Sequence, residues 1–103
     1  MNAKTLVRRY ARGERDFRGV VLRRANLIEA ILAGADFAEA SFFGASLYRA
    51  NLSHSRLCAA DVRIADLRLA DVSGVDWTDT DTTKTIWTEA DLWNEPGAGQ
   101  AGL

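Results

Sequence analysis

The sequence predicts an all-β solenoid, a chain wound into stacked coils that turns a corner every five residues. Three observations carry this. Large apolar residues recur at intervals of five from Phe17 to Leu92, and only Thr82 breaks the series. A small side chain stands two positions before most of these centres, as at Ala25, Ala30, Ala35, Ala40, Ala45 and Ala50. The residue between the two is commonly Asp or Asn, as at Asn26, Asp36 and Asn51. A period of five fits neither the helical repeat of about 3.6 nor the strand repeat of about 2, so neither ordinary element explains it. A corner in every repeat does, because the large and the small residue then both point inward; short fixed-period repeats of this kind signal a stacked β-helix.

The first element in chain order is different. Ala3 to Arg12 is compatible with a short helix: Asn2 or Thr5 can cap its start, Leu6 and Tyr10 lie four apart on one face, and Gly13 can end it. So short a helix is marginal alone and needs a surface to pack on. The coils that follow supply one.

From Arg15 to Asn94 sixteen pentapeptides fit one register without a gap. Their pattern, A(D/N)LXX, resembles that of the pentapeptide-repeat proteins. The resemblance implies a right-handed quadrilateral β-helix of about four coils with a short N-terminal capping helix, with four repeats to each coil. Coils are then expected at 15–34, 35–54, 55–74 and 75–94. YARGERDFRG, Tyr10 to Gly19, looks like the N-terminal capping segment of cyanobacterial members, whose caps are helical. The expected divisions are a capping helix at 1–14, the β-helix at 15–94 and a flexible tail at 95–103. With 20 residues per coil, the inward columns are Phe17, Phe37, Leu57 and Trp77; Leu22, Phe42, Val62 and Thr82; Leu27, Leu47, Leu67 and Trp87; and Leu32, Leu52, Val72 and Leu92. The last coil departs from the pattern, with Thr80, Thr82 and Thr85 at inward positions and Trp77 and Trp87 larger than any earlier centre.

The chain has 103 residues, room for one domain, and a net charge of -1 that hides an uneven distribution. Residues 1–24 hold eight basic side chains against two acids, whereas residues 61–95 hold nine acids against Arg63, Arg68 and Lys84. The charged start and the absence of an apolar run near the ~18 residues of a membrane span argue against secretion and insertion. A lone cysteine, Cys58, forms no internal disulfide, and a reducing cytoplasmic setting is expected.

No constellation for catalysis stands out. His54 is the only histidine and takes an outward position at a repeat end; Cys58 lies at a different outward position, so neither a metal spacing nor a Cys-His pair is present. Gly34, Gly44 and Gly74 sit at repeat ends, where turns explain them, and no phosphate-binding glycine motif occurs. The aspartates recur at a position where short polar side chains bond the neighbouring backbone. The chain is expected to be no enzyme, with no catalytic residue, metal or cofactor.

Two functions remain. The first is an interaction scaffold whose partner is another protein, with Phe43 and Tyr48 on adjacent outer faces, Ile28, Ile64 and Leu69 beside them, and Trp93 near the C-terminal edge as candidate contacts. The second follows from a branch of the family that inhibits or protects DNA gyrase by resembling duplex DNA as a dimer joined through C-terminal ends. Here the acidic half would act through Asp61, Asp66, Asp71, Asp76, Asp81 and Asp91, with Trp77 and Trp87 at a homodimer contact of the last coil. Over about 8 Å of rod, DNA carries about five charges, so the acidic density suffices there. The basic first coil and the low net charge oppose this second function. Nucleic acid itself is disfavoured as a partner of Arg8, Arg9, Arg12, Arg18, Arg23 and Arg24, because no aromatic interleaving or motif accompanies them, and no membrane contact is expected.

Overall fold

A computed structural model describes residues 1–87. Helix α1 spans Ala3–Ala11; the Asn2 side chain accepts from the Thr5 N–H at its start, and Leu6 is its buried residue. The chain then winds into coils joined by parallel bridges, each between residues 20 apart: Asp16 with Asp36, Val21 with Ser41, Asn26 with Ser46 and Ile31 with Asn51 are the first four. One coil is therefore 20 residues, four pentapeptides.

Each pentapeptide closes the same way. The N–H of the small inward residue donates to the carbonyl of the large residue three before it, as Ala30 does to Leu27 at 3.1 Å and Ala50 to Leu47 at 2.9 Å. The residue just before that donor has positive φ, the pattern of type II turns. This holds at Gly19, Gly34, Gly44 and Gly74, and equally at Arg24, Glu29, Glu39, Arg49, His54, Ala59, Ile64, Leu69, Asp79 and Lys84. Gly19 thus belongs with the three glycines the sequence places at turns. Side chains as disfavoured in this region as β-branched Ile64, at φ 62, are held there by the ladder on both sides.

The Asp and Asn residues brace these turns. Each accepts from the backbone N–H two residues on, from Arg18 on Asp16 at 3.3 Å to Thr83 on Asp81 at 3.1 Å, with Asn26, Asp36, Asn51, Asp61, Asp66, Asp71 and Asp76 between them. Inside, the columns expected from the 20-residue offset are filled among the described residues, Leu92 lying outside them: Phe17 stacks on Phe37 with centroids 5.6 Å apart, and Phe42 meets Phe37 edge-on at 5.0 Å. Thr80 and Thr85 do take half-buried positions, and their hydroxyls donate to the Leu57 and Val62 carbonyls of the coil before, at 2.6 and 2.7 Å.

α1 lies across the first coil. The Tyr10 hydroxyl donates to Ala33 O at 2.6 Å, the terminal amino group reaches Val21 O at 3.4 Å, and Leu6 joins the core cluster.

Candidate functional site

Because coils stack at a 20-residue offset, outward residues form columns just as inward ones do, and the chemistry of the surface is set by what falls 20 apart. Phe43 has Arg23 in the coil before and Arg63 in the coil after. Both guanidinium carbons lie over its ring, 4.9 and 5.1 Å from the centroid, with Arg24 at 5.8 Å. One face along, Tyr48 meets Arg68 of the next coil at 5.3 Å and its neighbour Arg49 at 5.6 Å. Both rings are half-buried. Contrary to the expectation from the sequence, the stacked coils interleave Arg23 and Arg24 with an aromatic ring; the absence of a recognised nucleic-acid-binding motif is unchanged.

Two of these arginines, Arg63 and Arg68, are themselves braced. Arg63 grips Asp61 with Nε and Nη2 at 2.9 and 2.8 Å and stands 3.8 Å from Asp81; Arg68 grips Asp66 at 2.9 and 2.8 Å. The same unit, Asp, then Arg two on, then an aromatic ring one coil back, thus appears twice, one pentapeptide apart. Charge-assisted bonds from these guanidinium groups hold the Asp61 and Asp66 carboxyls below the ordinary range and push the arginines up.

The remaining acidic candidates are satisfied locally. The Ser73 hydroxyl lowers Asp71, and the Thr83 hydroxyl lowers Asp81. Asp76 is brought down to about 2, chiefly by the Thr78 hydroxyl at 2.7 Å and then by the Thr78 N–H. Trp77 and Trp87 meet edge-to-face at 5.2 Å and are packed against the core, partly exposed. Asp91 and Trp93 lie outside the described residues. Ile28, Ile64 and Leu69 are exposed as expected; Val21, Ile31 and Ile86 are exposed too and were not singled out by the sequence. His54 is exposed, its ring lying against Gly74 of the next coil. Cys58 sits between Arg56, whose Nη2 is 3.9 Å from Sγ, and Asp76, and burial pushes its thiol up. Among the described residues no group of three or more His, Cys, Asp or Glu is placed to hold a metal ion, and no helix is long and apolar enough to cross a membrane.

This geometry has known counterparts. The family model for pentapeptide repeats matches residues 21–58 in eight copies. The solved structure of alr5209, a pentapeptide repeat protein from Nostoc Pcc 7120, is 32% identical with a TM-score of 0.84, covering 86% of this chain and 74% of its own. The chain belongs to the pentapeptide-repeat family. Proteins of this family are right-handed quadrilateral β-helices. Two further cyanobacterial relatives are longer. HetL of Nostoc sp. strain PCC 7120, described as involved in the regulation of heterocyst differentiation, is 31% identical over 75% of this chain and 38% of its own, with a TM-score of 0.40. Rfr23 of Cyanothece 51142 is 30% identical over 74% and 50%, with a TM-score of 0.44. Among curated proteins none matches.

Proposed function

We propose that this pentapeptide-repeat protein is a non-catalytic scaffold that docks another protein on the two adjacent outer faces carrying Phe43 and Tyr48. The observation that carries this is the Arg23, Phe43, Arg63 stack, repeated in part by Tyr48 and Arg68. Aromatic and Arg side chains dominate binding hot spots, and a ring already held between guanidinium groups has little freedom left to lose when a partner arrives. Four coils at 15–34, 35–54, 55–74 and 75–94 form the rod in this proposal, and α1 within 1–14 covers part of its first end.

The DNA-mimic alternative draws less support, because two of its carboxylates, Asp61 and Asp66, are each gripped by an arginine and present no free charge. The test is affinity capture from a host lysate with the wild type and a Phe43→Ala, Tyr48→Ala double variant. A protein retained by the wild type and lost by the variant is the expected result; retention by both overturns the assignment of these faces. Inhibition of gyrase supercoiling by the purified chain, undiminished in the double variant, would favour mimicry instead.

A further inference from the structure

The first coil has an open backbone edge. In later coils the bridge residue donates its N–H to the coil before, as Ser46 does to Ala25 O and Asp66 to Ala45 O, both at 2.9 Å. The carbonyls of Ser46 and Tyr48 in turn accept from Leu27 and Glu29 of the coil before, both at 2.8 Å. Asn26 and Ile28 are the equivalents of Ser46 and Tyr48 one coil earlier, and no coil precedes them. The Asn26 N–H and the Asn26 and Ile28 carbonyls have no backbone partner among the described residues. Among the described residues the N-terminal segment serves this edge at Val21 and Ala33, through the Met1 amino group and the Tyr10 hydroxyl of α1.

Between α1 and Asn26 lies a groove of about 500 Å³ lined by Ala3, Lys4, Val7, Arg8, Ala11 and Asn26. Ala3, Val7 and Ala11 are spaced four apart along one helix face, and Val7 is 46% exposed. Lys4 and Arg8 have no ion-pair partner among the described residues, whereas Arg9, Arg18, Arg56, Arg63 and Arg68 each hold a carboxylate. The groove therefore joins an apolar wall and two unpaired cations to Asn26, where the open edge begins; the Ile28 carbonyl follows two residues on along the same edge, at the spacing the ladder already uses.

We infer that this groove takes an extended peptide segment of a partner protein, alternating acidic and apolar residues, which adds to the first coil as one more parallel rung. A locally extended occupant fits because the rungs of this ladder pair through single bridge residues, and a short extended segment presents its N–H and C=O groups to Asn26 and Ile28 in the same way; an unpaired edge is the usual acceptor of such an addition. Alternation follows from the strand's period of two, which sends successive side chains to opposite sides, one set onto Ala3, Val7 and Ala11 and the other toward Lys4 and Arg8. Acidic residues answer the two cations. This rests on the scaffold reading and deepens it by naming a partner class at the end of the rod.

The probe is a fluorescein-labelled, acetylated peptide alternating Asp with Val over seven residues, titrated by anisotropy into the full chain. Saturable binding is expected, weakened at least about tenfold by a Lys4→Glu, Arg8→Glu double variant and by N-methylation of two inward Val residues, which removes donors while keeping charge and side chains. Lys4 and Arg8 are both exposed, so the variant retains the fold, as far-UV circular dichroism would verify. Equal affinity for the methylated peptide would overturn strand addition, and no binding by the wild type would overturn the site. Self-association abolished by Arg8→Glu, with no peptide bound, would overturn it in favour of a second copy as occupant. The Phe43→Ala, Tyr48→Ala variant should bind the peptide as the wild type does, so failure of this groove and failure of the lateral faces give separate readouts.

Discussion

Leu47→Ala is the substitution that most directly tests how this rod is held together. Leu47 is fully buried in the third inward column, between Leu27 and Leu67, and belongs to the core cluster. Truncation removes three carbons from the interior, about 2.4 kcal/mol of transfer free energy at ~0.8 kcal/mol each. A cavity term adds to this wherever the surroundings cannot close in. Here they cannot: the Leu47 N–H donates to Asp66 O at 2.8 Å, its carbonyl accepts from Ala50 at 2.9 Å, and Ser46 is tied to the previous coil at 2.9 Å. Both neighbouring coils would have to leave their ladder bonds to fill the space. The expected loss is therefore ~3 to 4 kcal/mol, inside the ~2 to 5 found for such truncations in well-packed cores. For a domain of this size that is a fall in Tm of roughly 12 to 30 °C, at about 4 to 8 °C per kcal/mol. Urea titration followed by circular dichroism measures it, with Ile31→Ala, 65% exposed, as a control expected to stay within about 0.5 kcal/mol. A loss below half a kilocalorie at Leu47 would refute the column register.

Ser55 occupies a buried small-residue position, and its Oγ has no hydrogen-bond partner among the described residues, so Ser55→Ala should stabilise the fold by about 1 kcal/mol; an equal destabilisation in the same titration would show a partner for the hydroxyl. Asp61→Asn keeps the acceptor for the Arg63 N–H at 3.0 Å and loses only a partly exposed ion pair, so it should cost less than about 1 kcal/mol, and Asp61→Ala, which loses both, about 1 more; a greater cost for Asn would refute the turn-bracing role. Acid should weaken the fold in a defined window. Asp16 and Asp76 are lowered from 3.8 to about 2, and Asp61, Asp66, Asp71 and Asp81 are lowered as well, so their stabilisation is complete above about pH 4 and is lost as pH falls toward 2. A urea midpoint that stays flat or rises from pH 4 to pH 2 would contradict this. If the scaffold self-associates through its last coil, Trp87→Glu should halve the mass seen by light scattering; an unchanged mass removes that dimer.

Much of this molecule was legible because one number, five, governs both its inside and its turns. The inward columns from Phe17 to Trp87 could be written down directly, and Asp61 or Asp71 could be assigned to turn bracing from their fixed place before each large residue. The left-handed backbone at every repeat end was legible only where glycine marks it. Ile64 takes the same conformation against its own preference because its N–H is bonded to Thr83 O of the next coil and the carbonyl just before it to Gly44 of the previous one, and no local sequence signal reports a constraint imposed from 20 residues away. The acidic half holds a pairing that a count along the chain does not show. Counted along the chain it is a block of negative charge, yet Arg63 and Arg68 lie two residues beyond Asp61 and Asp66 and fold back on them. The groove beside α1 was not legible at all, because it depends on where a helix comes to rest on a coil edge.

The arginine and aromatic stacks were within reach of the sequence and were missed, for a reason that bears on how such a rod can carry function. Arg23, Phe43 and Arg63 stand at the same 20-residue offset as Leu27, Leu47 and Leu67, but outward positions carry no repeated residue type within a pentapeptide that would mark the column. Phe43 and Tyr48 stand outside both the core cluster and the turn-bracing Asp and Asn positions, so the ladder holds its backbone without them. In the proposed scaffold, recognition is therefore composed across coils, not along the chain. Its natural unit is the column of residues 20 apart, and a substitution at Phe43 should change what the surface binds while leaving the core that displays it unaltered.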